Sequence, residues 1–164
     1  MKLLYNQIMP SKLKAIIYRL GYPVAKAYWF FRRPNTEGVR CVVINQNKIV
    51  LIRHTYGNVN WTVPGGGVKK IEGLKEAARR EVKEEIGLNL SKIKKVGEIY
   101  NNQDFKKDTV HVFVAETEID ALHLDSSEVK EAVWFNLNNL PKDTSPLCHK
   151  FINLVNSAKL SKAN

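Results

Sequence analysis

Hydrophobic and polar positions divide the chain into two unlike parts. Leu13, Ile16, Ile17, Leu20 and Val24 recur at helical spacing, with Lys12, Lys14 and Arg19 between them, which is the pattern of an amphipathic helix. Gly21 and Pro23 interrupt it, and an aromatic stretch follows, Tyr28-Trp29-Phe30-Phe31, closed by Arg32-Arg33-Pro34-Asn35. The pattern predicts a helical segment over about residues 10–32. From Val39 the period changes. Val39-Arg40-Cys41-Val42-Val43-Ile44 and Lys48-Ile49-Val50-Leu51-Ile52-Arg53 predict two strands, with a hairpin turn at Asn45-Gln46-Asn47. Trp61-Thr62-Val63 predicts a short strand ending at Pro64, followed by the triple glycine Gly65 to Gly67. A helix is predicted from about Leu74 to Ile86, with Gly87 as its stop. Val96 to Tyr100, Val110 to Ala115 and Val133-Trp134-Phe135 predict further strands, and Leu147 to Leu160 a terminal amphipathic helix. Strands and helices in this order imply an α/β fold, a mixed sheet with helices packed on it.

Composition adds two constraints. At 164 residues and 44% hydrophobic, the chain fits one domain with a real core, and it has no internal repeat or low-complexity linker. The formal net charge is +10, and residues 1–35 hold seven Lys or Arg and no Asp or Glu. Such a field attracts polyanions: nucleotides, RNA or an anionic membrane surface; a merely solubilising surface is the alternative. Cys41 and Cys148 are far apart and form no CxxC, which argues against a zinc site or a disulfide framework and suits a reducing cytoplasm. No apolar run approaches the roughly 20 residues that span a bilayer. The opening Met1-Lys2-Leu3-Leu4-Tyr5-Asn6-Gln7 is too broken for a signal peptide.

Candidate chemistry lies on the helix from Leu74 to Ile86. Glu81, Glu84 and Glu85 are spaced i, i+3 and i+4, so their carboxylates share one side as close neighbours. Like charges this close repel, and more so when partly buried. A divalent cation removes that cost, and hard oxygen donors favour Mg2+, Mn2+ or Ca2+ over zinc. A glutamate-rich helix face is commonly only a solvated surface. Here, however, Gly65-Gly66-Gly67 lies just upstream, where the backbone can approach a ligand or metal closely.

These residues resemble a known family. Gly66, five residues, Glu72, seven residues, Arg80-Glu81-Val82, one residue, Glu84-Glu85, one residue, then Gly87-Leu88 match the Nudix box at each fixed position. Trp61 to Gly66 is similar to the family's lead-in, and Trp134-Phe135 followed by Leu140-Pro141 to its later part. The resemblance extends over roughly residues 38–142. It implies an α/β/α sandwich around a mixed sheet. Residues 36–164 then form the Nudix hydrolase domain, and residues 1–35 a basic amphipathic helical appendage. It also implies Mg2+-dependent hydrolysis (Mn2+ being an alternative) of a phosphoanhydride bond in a nucleoside diphosphate derivative or nucleoside triphosphate. By resemblance, Glu81, Glu84 and Glu85 are metal ligands, any of which can orient the attacking water, and the Gly66 carbonyl is a further ligand. Glu72 and Arg80 are supporting residues, Arg80 holding a carboxylate by a charge-assisted pair. A further acid from a late loop is assigned to Glu128, six residues before Trp134, with Glu131 as the fallback.

Weaker candidates for substrate contact are Arg53 and His54, at the end of a strand leading toward the glycines. Trp61 is either a core residue or a stacking surface for a base. Phe105 lies near the position where dinucleoside polyphosphate-type members carry a tyrosine. Lys69 and Lys70 are exposed-loop candidates for phosphate, and His111 is read as structural. Residues 101–107 carry neither that tyrosine nor the proline of ADP-ribose-type members, and no coenzyme A signature is present, so a small nucleotide is the default substrate. Removal of pyrophosphate from RNA 5′ ends is the enzymatic alternative. A non-catalytic nucleotide-binding sensor is the alternative of another class, disfavoured by the intact box. For the basic appendage three partners compete: the catalytic domain or a homodimer partner, an anionic membrane surface, and RNA. Packing is the leading expectation.

Overall fold

The polar hairpin turn sets the sheet. Gln46 adopts a left-handed φ of 53°, and β1 (Asn35–Asn45) turns back into β2 (Lys48–His54) with Ile44 opposite Ile49. The computed structural model describes residues 11–32, 34–55, 59–101, 107–124 and 128–160. Among them, α1 (Ser11–Arg32) precedes β1, and α2 (Leu74–Ile86), β3 (Lys94–Asn101), β4 (Lys107–Glu116), β5 (Val129–Asn136) and α3 (Pro146–Leu160) follow β2. The strands form one sheet in the order β3-β4-β1-β2-β5. β1 and β4 are parallel in the centre, and the other pairs are antiparallel.

Alternation along β1 divides two cores. Val39, Cys41 and Val43 face α2 and pack with Ala77, Ala78, Val82 and Ile86. Val42 and Ile44 face α3 and pack with Cys148, Phe151, Ile152 and Val155. Period two on the strands meets period 3.6 on both helices, and the result is the three-layer α/β/α sandwich. Burying one such Val, Ile or Phe side chain contributes about 1.5–3 kcal/mol. Both cysteines are buried and free, and burial pushes each thiol up to about 12.

Two local expectations need correction. Trp61-Thr62-Val63 is not a strand but makes single bridges, Thr62 to Ile52 and Trp61 to Thr144. β1 and β2 separate beyond their turn, and this segment crosses between them. Ile52 and Thr62 exchange backbone hydrogen bonds, after which the Pro64 and Gly66 carbonyls accept from Cys41 and Val39, each at 2.9 Å. The second correction concerns α1, which runs through Gly21 and Pro23 without a break. A proline removes one backbone hydrogen bond, but turns continue on both sides of it, and Tyr22 and Trp29 meet edge-to-face across it with centroids 6.0 Å apart. The face of α1 that carries Leu20, Val24, Tyr28 and Phe31 is not covered by the rest of the chain: these side chains are 57% to 81% exposed.

Candidate functional site

The bounds of α2 follow from its ends. Gly73 is an N-cap without a side-chain hydrogen bond, while Gly87 takes the left-handed C-cap conformation at φ 75° and donates to the Lys83 carbonyl. Its buried face is Ala77, Ala78, Val82, Glu85 and Ile86. Two small alanines let the helix approach the sheet closely, and that approach carries Glu85 inside with the aliphatic residues. Gly65 makes the same closeness possible from the loop. Its φ is 147°, and a Cβ there would lie 2.1 Å from the Val39 carbonyl oxygen. Its N–H donates to Glu85 Oε2 at 2.8 Å.

The three box carboxylates are thereby placed in unlike surroundings. Glu85 is 4% exposed, the Glu81 side chain 13% and that of Glu84 48%. Burial pushes the Glu85 carboxyl up to about 8, opposed by Arg40 and the Gly65 hydrogen bond and reinforced by the charges of Glu81 and Glu128. Burial also raises Glu81, against the pull of Arg80. The Glu81 carboxylate lies against the glycine loop: a Cβ on Gly66 would be 2.6 Å from it. Arg80 gathers the outer acids. Its Nε and Nη2 donate to the two oxygens of Glu72 at 2.6 and 2.8 Å, and its Nη1 to Glu81 at 2.6 Å and Glu84 at 3.1 Å. This fork also reaches the Gly67 carbonyl at 3.1 Å. The hydrogen bond from Arg80 holds the Glu72 carboxyl down at about 2.

Glu128 belongs to the same neighbourhood. Its charge is felt at Glu85 and at His54, and its carbonyl accepts from the Thr55 N–H at 3.0 Å. Glu131, the fallback, instead lies 3.9 Å from Arg53 and 3.5 Å from Lys130. His54 is held low by burial first and by Arg40 second, opposed by the Glu128 backbone and charge. Arg53 is more committed than its sequence position suggested. It pairs with Asp143 and stacks on Trp61, its guanidinium carbon 4.4 Å from the ring centroid. Trp61 is 5% exposed and meets Phe135 edge-to-face, so it is a core side chain with little surface left for a base. Lys69 Nζ is 4.0 Å from Glu84, and Lys70 is exposed. His111 is buried, 3.4 Å from Glu37 and 3.3 Å from Glu98. Phe105 lies outside the described residues.

Arg40 was not legible as a site residue. It sits on β1 between the two residues that hydrogen-bond the glycine segment, and a Cβ on Gly65 would be 2.9 Å from its Cα. Its charge acts on Glu81, Glu85 and His54 together. The one available signal was a lone arginine within an aliphatic strand, Val39-Arg40-Cys41-Val42.

The donor chemistry fits a hard divalent cation. Glu81 and Glu85 are carboxylates whose ionisation burial opposes, so a cation beside them supplies the missing counter-charge. The Gly66 carbonyl accepts one hydrogen bond, from Val39, and a carbonyl oxygen has two lone pairs. As they stand, no three His, Cys, Asp or Glu among the described residues converge as a metal site. Arg80 holds Glu81 and Glu84, and Gly65 holds Glu85.

Comparison with known proteins identifies the family and the fold. The NUDIX domain family model matches residues 34–153. An NAD-capped RNA hydrolase, NudC, of Vibrio atlanticus is 32% identical over 65% of this chain and 40% of its own length. The chain thus spans well under half of that relative. An ADP-ribose pyrophosphatase of Methanocaldococcus jannaschii is 33% identical over 71% of this chain and 70% of its own length. The crystal structure of a MutT protein from Methanosarcina mazei Go1 superposes with a TM-score of 0.66 at 25% identity, over 77% of this chain and 97% of that one. By box, fold and relatives, the chain belongs to the NUDIX domain family.

Proposed function

We propose that this chain hydrolyses a phosphoanhydride bond in a nucleoside diphosphate derivative or nucleoside triphosphate, with Mg2+ or Mn2+ as cofactor. The observation that carries the reading is the pair on α2 of a buried Glu85 and a half-buried Glu81, set against the Gly65-Gly66 backbone. Glu81, Glu84, Glu85 and the Gly66 carbonyl, with Glu128 from the loop before β5, would hold the cation. When bound, it neutralises charge on the pyrophosphate and stabilises the leaving phosphate.

The remaining work falls to this chain's own groups. A carboxylate raised toward neutrality suits a base that takes a proton from attacking water, because base catalysis is most effective with a pKa near the working pH. Free of metal, Glu85 is pushed by burial to about 8, and burial moves Glu81 in the same direction. Arg80 is a positioning residue: its rigid fork fixes Glu81 and Glu84 relative to Glu72. His54, lowered by burial and Arg40, feels the charge of Glu128 at the end of β2.

The relatives act, by their names, on ADP-ribose and on NAD-capped RNA, so the substrate is proposed here as a class. Release of phosphate, pyrophosphate or nucleoside monophosphate from a panel of nucleotides with Mg2+, Mn2+ or excess EDTA tests it. Turnover with metal that stops in EDTA is expected. Full turnover in EDTA, or none with any phosphoanhydride, would sink the proposal. A second reading, attack on RNA 5′ ends, rests on the +10 charge, but seven of the chain's positive charges fall within residues 1–35.

A further inference from the structure

α1 presents a stripe that the rest of the fold does not use. Leu20, Val24, Tyr28 and Phe31 are spaced i, i+4, i+8 and i+11, which puts them on one face, and they are 70%, 71%, 57% and 81% exposed. Phe30, 48% exposed, borders the stripe and packs edge-to-face on Phe31 with centroids 5.3 Å apart. Tyr22 and Trp29 lie on the opposite side, half-buried. Four large apolar side chains in one exposed row exceed the scattered apolar residues of an ordinary surface.

The charge around the stripe selects what covers it. Residues 1–35 hold Lys2, Lys12, Lys14, Arg19, Lys26, Arg32 and Arg33, with no acid before Glu37. Two copies of so basic a segment repel one another, which opposes self-association. RNA would satisfy the lysines and arginines but leave Leu20, Val24 and Phe31 facing a polar backbone. An anionic lipid surface satisfies both sets at once. Acyl chains take the aliphatic and aromatic side chains, and headgroup phosphates take the cations. α1 is 22 residues long, about 33 Å of helix, enough to lie along a surface. Among the described residues no helix is long and apolar enough to cross a membrane, so the contact is peripheral.

We infer that the exposed face of α1 binds the chain peripherally to anionic membranes through Leu20, Val24, Tyr28 and Phe31. The test is co-sedimentation of the full-length protein with vesicles of phosphatidylcholine alone and of equimolar phosphatidylcholine and phosphatidylglycerol, at low and physiological salt. Binding to the anionic vesicles is expected, weakened by salt. Val24→Glu with Phe31→Glu should lower it at least about tenfold while circular dichroism and thermal melting stay unchanged. Leu20→Glu with Val24→Glu, read the same way, keeps the test intact if the first pair misfolds. Absence of vesicle binding, or binding that both pairs leave unaltered, overturns the inference. So does a dimer in sedimentation equilibrium that the substitutions dissolve, or tighter binding to single-stranded RNA than to the anionic vesicles.

Discussion

Glu81, Glu84 and Glu85 lie within one turn of one helix, yet their surroundings assign them different chemistry. Glu85 is sealed under Gly65, Glu81 is wedged beneath Gly66, and Glu84 reaches solvent. Glu84→Gln or Glu85→Gln should each lower kcat by at least about 10²-fold, the size expected for one key electrostatic group. Helix propensity barely changes, so near wild-type rates in folded variants would remove the box from the active site. A separate signature needs no substrate. Free of metal, the Glu85 carboxyl ionises at about 8 when folded, against 4.5 ordinarily. Between those values the unfolded chain gives up its proton first. The contribution of Glu85 is therefore fully present below 4.5, falls as pH rises, and levels off above about 8. Thermal melting in EDTA across this window should show the fall, and Glu85→Gln should flatten most of it. A residual slope remains from Glu81, raised by the same cause. Arg40→Met should carry the fall to higher pH, because Arg40 opposes the rise of both carboxyls. A wild-type profile that is flat from acid to alkaline pH would contradict the buried placement of Glu85.

At the scale of elements, signals held in consecutive residues were legible and those arising from pairing were not. The apolar period and Gly87 are local, and α2 begins and ends at Leu74 and Ile86 as predicted. β1 and β4 run past their apolar cores because their parallel pairing begins at Asn35 and Lys107, polar residues whose backbone is ordered by its neighbour. The Trp61 segment looked like a strand by composition, but its partners are split between β2 and β1. Arg40 joins the site only because the sheet brings β1 under the glycine loop, so its role had no local mark beyond its isolation. The glycines themselves separate backbone from side-chain constraint. Gly65→Ala meets the Val39 carbonyl at 2.1 Å with φ at 147°, both fixed by the sheet, and should cost at least about 2 kcal/mol of stability. The nearest atoms to the Cβ added by Gly66→Ala are the carboxylate end of Glu81 at 2.6 Å, a side-chain end that can shift by giving up its pairing with Arg80. The Gly66 variant should therefore melt close to wild type while its kcat falls. Equal destabilisation by the two substitutions would show that the loop is not held as described.

Over the whole molecule, stability and the proposed catalysis are separable from the charge that suggests a polyanion partner. Among the described residues both cores are built from positions after β1 begins: Val39 is the first of one and Val42 of the other. Glu81, Glu84, Glu85, Arg40, His54 and Glu128 all lie beyond that point. Just before β1, the Pro34 carbonyl accepts from the Lys107 N–H at 3.1 Å. A chain beginning at Pro34 keeps that hydrogen bond and every element of the sandwich, and loses all seven positive charges of residues 1–35. It should fold cooperatively and turn over a small nucleotide within about threefold of the full-length rate, less than 1 kcal/mol of barrier. Turnover of a triphosphorylated RNA 5′ end separates the two readings of the basic charge. If residues 1–35 extend a groove for RNA, truncation should raise KM for the RNA and reduce the salt dependence of that KM, since each lost phosphate contact removes about 0.7 from the slope for single strands. If the segment serves a lipid surface, RNA turnover, where it occurs, keeps the same KM and slope after truncation, and only vesicle binding is lost. The exposed apolar face of α1 favours the second outcome, because it would gain nothing from a phosphate backbone. A truncated chain that fails to fold would instead show that α1 belongs to the core architecture.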